Sequence, residues 1–222
     1  VASLLQGDLG TSIFSNLPVT TLVQQRLEPT ALLAVSTLLV AVLMAVPMGV
    51  LAAWKARTLI DRVVMAFSVL GFAVPVFLIG YVMIYVFAIK LGWVPVQGYK
   101  PLSNGVWQTA RSLILPSLAL GMVYMALIAR ITRASMLDVL SEDYIRTARA
   151  KGADNAAVLL HHALKNAAVP IVTVIGIGFT LLISGVVITE TVFNIPGLGR
   201  LTVDAILKRD YPIIQGLIIL FA

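Results

Sequence analysis

Residues 29–54, PTALLAVSTLLVAVLMAVPMGVLAAW, run for 26 positions without an Asp, Glu, Lys or Arg. A helix needs roughly 20 apolar residues to cross a hydrocarbon layer about 30 Å thick. Three more uncharged stretches follow: 27 residues between Arg62 and Lys90, 18 between Arg111 and Arg130, and 24 between Lys165 and Glu190. A soluble domain of this length would have to bury four such helices on every side, whereas a bilayer accepts them directly. Composition agrees. The 222 residues are 59% hydrophobic and 12% charged, about half the charge of an ordinary soluble domain, and the mean hydropathy is +0.99. The fold class that follows is all-α: a polytopic transmembrane helical bundle whose first partner is the lipid bilayer.

Working outward, spans are expected at 29–54, 63–89, 112–129 and 166–189. Pro47 and Gly49 suggest a kink in the first, and the second contains Gly71, Pro75 and Gly80. Residues 1–28, with Gly7, Gly10, Asn16 and Pro18, read as a loop. Val1 is not an initiator Met, and the apolar run after Asp210 reaches Ala222 too soon to span. A further crossing is therefore expected past that end. Segments 54–62 and 130–165 carry nine Lys/Arg in 45 residues, against seven in 73 for 1–28, 90–111 and 190–212. The positive-inside rule places the first pair in the cytoplasm.

Several classes fall away. The net charge of +6 sits in short loops beside spans, and no basic run interleaved with aromatics supports a nucleic-acid partner. With no Cys there is no disulfide, thiolate metal site or thiol nucleophile. His161 and His162 are adjacent and share no helix face, so no metal site is expected. No phosphate-binding Gly-x-x-x-x-Gly-Lys-Ser/Thr loop, Gly-x-Ser-x-Gly or His-Glu-x-x-His occurs, so no catalytic site and no cofactor are expected on this chain. The uncharged spans hold no carboxylate or lysine to relay protons, which weighs against an ion-coupled secondary transporter. An intramembrane hydrolase would need a facing nucleophile and base.

The longest hydrophilic connection, 130–165, is the most informative. Ser141 is placed to cap a helix with Glu142 and Asp143 in its first turn. Residues 143–151 are good helix formers, Arg149 and Lys151 fall in the last turn, and Gly152 suits the left-handed closing position. Asp154 can cap a second short helix with Ala157, Leu160 and Leu164 on one face. Spacing leaves two readings open: a solvated loop, or a docking element whose Ala148 and Ala150 admit a close partner while the flanking arginines meet its acidic groups. Glu190 closes a span beside Phe193 and Asn194, as a gate or path group or as a residue at the water boundary. Trp93, Tyr99 and Trp107 read as anchors in the headgroup layer.

Asp143-Tyr144-Ile145-Arg146-Thr147-Ala148-Arg149-Ala150-Lys151-Gly152, followed by His162-Ala163-Leu164-Lys165-Asn166, resembles the cytoplasmic loop of ABC importer permeases of the dipeptide/oligopeptide/nickel class. Further blocks match in order: Gly7-Asp8-Leu9-Gly10-Thr11-Ser12, Leu91-Gly92-Trp93-Val94-Pro95, Glu190-Thr191-Val192-Phe193, Pro196-Gly197-Leu198-Gly199-Arg200-Leu201 and Arg209-Asp210-Tyr211-Pro212. The resemblance covers essentially the whole chain. One departure stands out: where the general importer motif has Glu-Ala-Ala, three residues and Gly, this sequence has Arg146, Thr147, Ala148 and Gly152, so the glutamate is replaced and Arg146 would need an acidic partner.

The resemblance implies a bundle of the ABC importer type I permease kind, a single transmembrane domain with six spans in the full chain, four complete and one partial here. It implies alternating access that moves peptides or similar solutes inward across the inner (cytoplasmic) membrane. Two ATP-binding subunits carrying ATP and Mg would dock on Asp143, Tyr144, Arg146, Thr147, Ala148, Arg149, Ala150, Lys151 and Gly152, within a cytoplasmic coupling loop over 143–165. A homologous second permease and an extracytoplasmic solute-binding protein would complete the machine. Gly71, Pro75 and Phe77 match the family's second-span pattern and would line the path, the alternative being ordinary kinked packing. No residue selects among dipeptides, longer peptides, nickel complexes, glutathione and sugars.

Overall fold

The computed structural model describes residues 9–221, leaving aside the side chains of 181, 183 and 184. Gly7 and Asp8 of the first matching block, and the opening of the expected 1–28 loop, lie outside the described residues. Among the described residues there is no strand, only the isolated bridge between Thr11 and Pro18. Helix dominates the rest.

The first helix, α1 (Val19–Trp54), begins ten residues before the expected span. Pro18 has no N–H to leave unsatisfied, and its carbonyl accepts the opening bonds from Thr21 and Leu22. Residues 19–28 are therefore helix and not loop. Their polarity is no obstacle, because 36 residues at 1.5 Å each reach roughly 54 Å, well beyond the lipid core. The span expected over 63–89 is instead broken into α2 (Leu59–Ala73) and α3 (Val76–Met83), which continues as π-turns over Ile84–Lys90. Pro75 causes the break: its ring excludes the α conformation from the preceding residue, and Val74 is extended at φ −94, ψ 125. Together the pair is long and apolar enough for one broken span.

The third span is longer than expected, α4 (Val106–Leu140), with Pro116 inside it. Arg130 and Arg133 were expected in a loop, but they are good helix formers and sit within α4. Next come α5 (Asp143–Ala150) and the single turn α6 (Asn155–Ala157). From α6 the chain passes through π-turns over Val158–Leu164 into α7 (Lys165–Val192) without a break, so the second half of the expected 143–165 loop belongs to that long helix. Segment 190–212, also expected as loop, contains α8 (Leu198–Lys208), closed by Arg209 in the left-handed region at φ 57. The last helix is α9 (Tyr211–Phe221). Among the described residues three helices are long and apolar enough to cross a membrane, and four spans result if the broken pair counts as one.

The chain groups into two compact units. The first comprises the segment ending at Ser36, Val76–Leu120 and the segment starting at Leu182. Its core joins Val19 and Val23 of α1 to Leu198, Leu201 and Ala205 of α8 and to Ile213 and Leu217 of α9. Asp210, 2% exposed, accepts Ser12 Oγ–H at 2.6 Å and the Ile13 N–H at 3.3 Å. The second unit comprises Thr37–Pro75 and Gly121–Leu181. Glycines let its helices approach closely, as membrane helices require: a Cβ on Gly49 would meet Thr132 and the Ala129 carbonyl, and one on Gly71 would meet Ala126 and the Met122 carbonyl. Asp61 is buried there in a two-pronged pair with Arg133 (Nη2 to Oδ2 2.7 Å, Nε to Oδ1) and also accepts the Arg57 N–H at 2.9 Å. A charge out of water requires such full pairing.

Gly49→Ala is expected to cost about 1–3 kcal/mol through overpacking against backbone, read as a lower thermal midpoint in detergent. Gly176→Ala, whose added carbon meets nothing within 4 Å, should leave the midpoint unchanged or raise it. Equal midpoints would show that the close approach at Gly49 is not what limits stability.

Candidate functional site

The expected helix over 143–151 is α5, and Gly152 closes it at φ +86. Two details differ from expectation. Ser141 does not cap it: Glu142 is the N-cap residue, and Ser141 Oγ–H donates to the Asp138 carbonyl at 2.7 Å. Asp154 does cap the next turn, accepting the Ala157 N–H at 2.9 Å. Beyond it the π-turns change the helix period, so Val158, Leu159 and Ala163 are the buried positions, and Leu160 of the expected face is 56% exposed.

What holds α5 is Ile145. It is the one buried residue of that helix, 0% exposed, and it enters a cluster with Val50, Ala53, Met136, Val158 and Ala163. Asp143, Tyr144, Arg146, Thr147, Arg149, Ala150, Lys151 and Gly152 remain exposed and Ala148 half-buried. The Arg146–Asp143 contact at 3.4 Å is fully in solvent, so it fixes little. Tyr144, Thr147, Ala148, Lys151, Gly152 and His162 border an open groove of about 430 Å³. The result is a short cationic helix seated on one apolar peg, with its polar faces and a small-residue groove open to solvent. No cluster of three or more His, Asp or Glu suited to a metal occurs among the described residues.

Glu190 has a surrounding of its own. It is 0% exposed, so it is not a water-boundary residue. Its Oε1 accepts Thr30 Oγ1–H at 2.5 Å, its Oε2 accepts the Arg200 N–H at 2.9 Å, and Thr30 Oγ1 in turn accepts the Leu198 N–H at 2.8 Å. Leu198 and Arg200 belong to the first turn of α8, whose N–H groups have no partner within their own helix. A carboxylate from α7 thus caps α8 from outside, where negative charge also suits the helix dipole. The fit requires Gly197 and Gly199, since a Cβ on the first would collide with the Glu190 carboxylate and one on the second with Val187. Phe193 is buried beside this turn, and Asn194 is exposed at φ 56 with its Oδ1 accepting from Arg200 Nη1.

The loop after α3 is tied to the same region. The Gly98 N–H donates to the Phe193 carbonyl at 3.0 Å and Gln97 Nε2 to the Val192 carbonyl at 3.2 Å. Glu28 Oε1 accepts both Tyr99 O–H at 2.7 Å and the Leu102 N–H at 3.0 Å. Burial, and then that carboxylate, push the Tyr99 hydroxyl well above the ordinary tyrosine range, so it stays a donor.

Of the expected path residues, Gly71 is spent on a helix contact and Pro75 on the break, while Phe77 is exposed. Sequence reasoning missed Thr30, Ile145 and the Asp61–Arg133 pair. Two of these carried a signal: Asp61 is the one acidic residue between Glu28 and Asp138, and Ile145 is the one large apolar aliphatic in an otherwise polar helix.

Comparison with known proteins gives a consistent picture. Residues 45–222 match the family described as "Binding-protein-dependent transport system inner membrane component". The chain is 56% identical over 221 residues to the "Probable peptide ABC transporter permease protein y4tP" of Sinorhizobium fredii, covering 100% of this chain and 71% of that protein. It is 44% identical over 223 residues to the "Glutathione transport system permease protein GsiC" of Escherichia coli K12, covering 100% of this chain and 70% of that one. A solved structure described as "Crystal structure of an amino acid ABC transporter with histidines" shares the fold at a TM-score of 0.64 and 19% identity, over 90% of this chain and 84% of that chain.

Glu190→Ala would leave the Thr30 hydroxyl and α8 N–H groups without their acceptor, a loss of about 3 kcal/mol. The expected outcome is a fall in thermal midpoint and in membrane abundance, with transport falling in proportion to abundance. Transport lost at an unchanged midpoint would instead mark Glu190 as a path group.

Proposed function

Because the chain belongs to the family of binding-protein-dependent transport system inner membrane components, we propose that α5 and its closing turn, residues 143–152, are where it takes up force from an ATP-hydrolysing subunit. The chain is a membrane-spanning permease subunit of an ABC importer of the inner membrane, working with ATPase and solute-binding partners. In this family ATP belongs to the partner subunits.

The observation that carries the assignment is the seating of α5. A helix whose one buried side chain is Ile145, with a single long hydrogen bond from the Tyr144 hydroxyl to the His162 carbonyl at 3.5 Å beside it, can tilt as a lever while staying joined to the ends of α1, α4 and α7 through its apolar cluster. Arg149 and Lys151, together with Arg146 beyond its solvent-exposed contact with Asp143, offer cations to an acidic partner surface, and the groove beside Ala148 and Gly152 admits a close approach. Two ATPases, each loaded with ATP and Mg, and a homologous second permease complete the assembly in this reading, with a solute-binding protein delivering cargo on the far side. Residues 143–152 face the cytoplasm, and the loop over 91–105 faces outward, as the charge asymmetry favours. ATP-driven closure of the ATPases acts on α5 and shifts the bundle between its two access states; the ATPases must therefore bind those states unequally. Among the path candidates Phe77 and Asn194 keep the exposure a path requires, whereas Gly71, Glu190 and Phe193 serve the framework. The cargo is a short peptide or a glutathione-like molecule, a reading supported by what the relatives are named for.

Arg149→Glu reverses an exposed charge without touching the core, so membrane abundance and thermal midpoint should hold while co-purified ATPase falls by about tenfold, the loss of one charged contact. Gly152→Pro, at a φ that proline cannot adopt, should abolish uptake at normal abundance. Full ATPase recovery and normal uptake in both variants would overturn the assignment.

A further inference from the structure

Between α3 and the start of α4 the chain forms an open pocket of about 690 Å³, within the size range of small-molecule sites. Its ten lining residues include Lys100 and Arg111 and no Asp or Glu. Tyr99, Trp107, Gln97 and Gln108 supply an aromatic wall and amide groups. The shape is set before any ligand arrives. Arg111 Nη2 donates to the Trp93 carbonyl at 3.0 Å, the Lys100 N–H donates to Ser112 Oγ at 3.4 Å, and the ties to Glu28, Val192 and Phe193 hold the loop from below. One donor of the Arg111 guanidinium is used by that bond, leaving the rest of its fork. The Lys100 ammonium has no ion pair or hydrogen bond among the described residues. The nearby carboxylate, Glu28, is already occupied at Oε1 by Tyr99 and Leu102.

We propose that this cavity is a recognition subsite for the C-terminal carboxylate of a short peptide on the outward-facing side of the chain. The inference rests on the importer reading above and adds to it a place where the permease itself discriminates cargo. Arg111 holds the carboxylate through its fork and Lys100 adds a point charge. Trp107 covers the last side chain of the peptide, and Gln108 meets a peptide amide. No acidic group lines the cavity, so the amino terminus of the cargo is not read here. A phosphate headgroup shares the anionic-oxygen chemistry, but it offers no peptide amide to Gln108.

The test uses the complete transporter, with its ATPase subunits, in nanodiscs of phosphatidylcholine and without the binding protein. Equilibrium binding is measured for alanyl-alanine, its N-acetyl form and its C-terminal amide. The expected result is binding of the first two, with the amide about tenfold weaker, the loss of one charge-assisted contact. Lys100→Gln and Arg111→Lys should each weaken alanyl-alanine about tenfold by the same contact argument, and Lys208→Gln, outside the cavity, should not. Equal binding of acid and amide by the unaltered protein would overturn the subsite, as would equal affinities across the variants. Adding phosphatidylglycerol separates the sources of the anion: a lipid that occupies the cavity while the dipeptide fails to bind also overturns it. Co-purified ATPase in the same sample distinguishes the two levels. Its presence with no dipeptide binding removes the subsite alone, and its absence removes the importer reading.

Discussion

Hydrocarbon offers no partner to a peptide N–H or C=O, so every backbone group inside it must be bonded within the chain. That constraint decides almost everything here. It makes the apolar stretches helices, and it explains why the departures from regular helix are confined and individually accounted for. The extended Val74 lies next to a proline that could not have donated, and the π-turns over Ile84–Lys90 and Val158–Leu164 keep their groups within the helix while shifting its period. A protein in water could have spread such irregularities over many loops. Here each is short.

Without a hydrophobic force between helices in lipid, contact depends on close approach and on a few polar ties. Gly49 and Gly71 supply the approach in one unit. The ties are buried carboxylates, each fully engaged: Asp61 on Arg133, Glu190 on Thr30 and the start of α8, Asp210 on Ser12. Each joins residues far apart in the chain, and each would be costly to bury alone. They act as fixed points, and the functional surfaces are what the fixed points leave free.

The membrane class and the short helix α5 were legible because both rest on local pattern. Uninterrupted apolar length is visible without knowing any neighbour, and Gly152 and Asp154 announce their turns through backbone chemistry alone. The limits of the helices were less legible. Charge suggests a span that ends at 129 and another that starts only at 29, yet charged residues are sound helix formers and a helix does not stop where the lipid does. The face buried after Asp154 was misplaced because a π-turn alters the period that the reading assumed. The role of Glu190 was out of reach for a different reason: its partners Thr30 and Arg200 are distant in sequence, and only the folded chain brings them to one carboxylate.

If α5 is the docking helix proposed above, the burial of Ile145 alone among its side chains has a consequence for how such machines diversify. Structural duty and partner choice are carried by different side chains of one eight-residue helix. In that reading the surface presented to an engine can be rewritten charge by charge, to suit another motor or to refuse a wrong one, while the buried joint is left untouched.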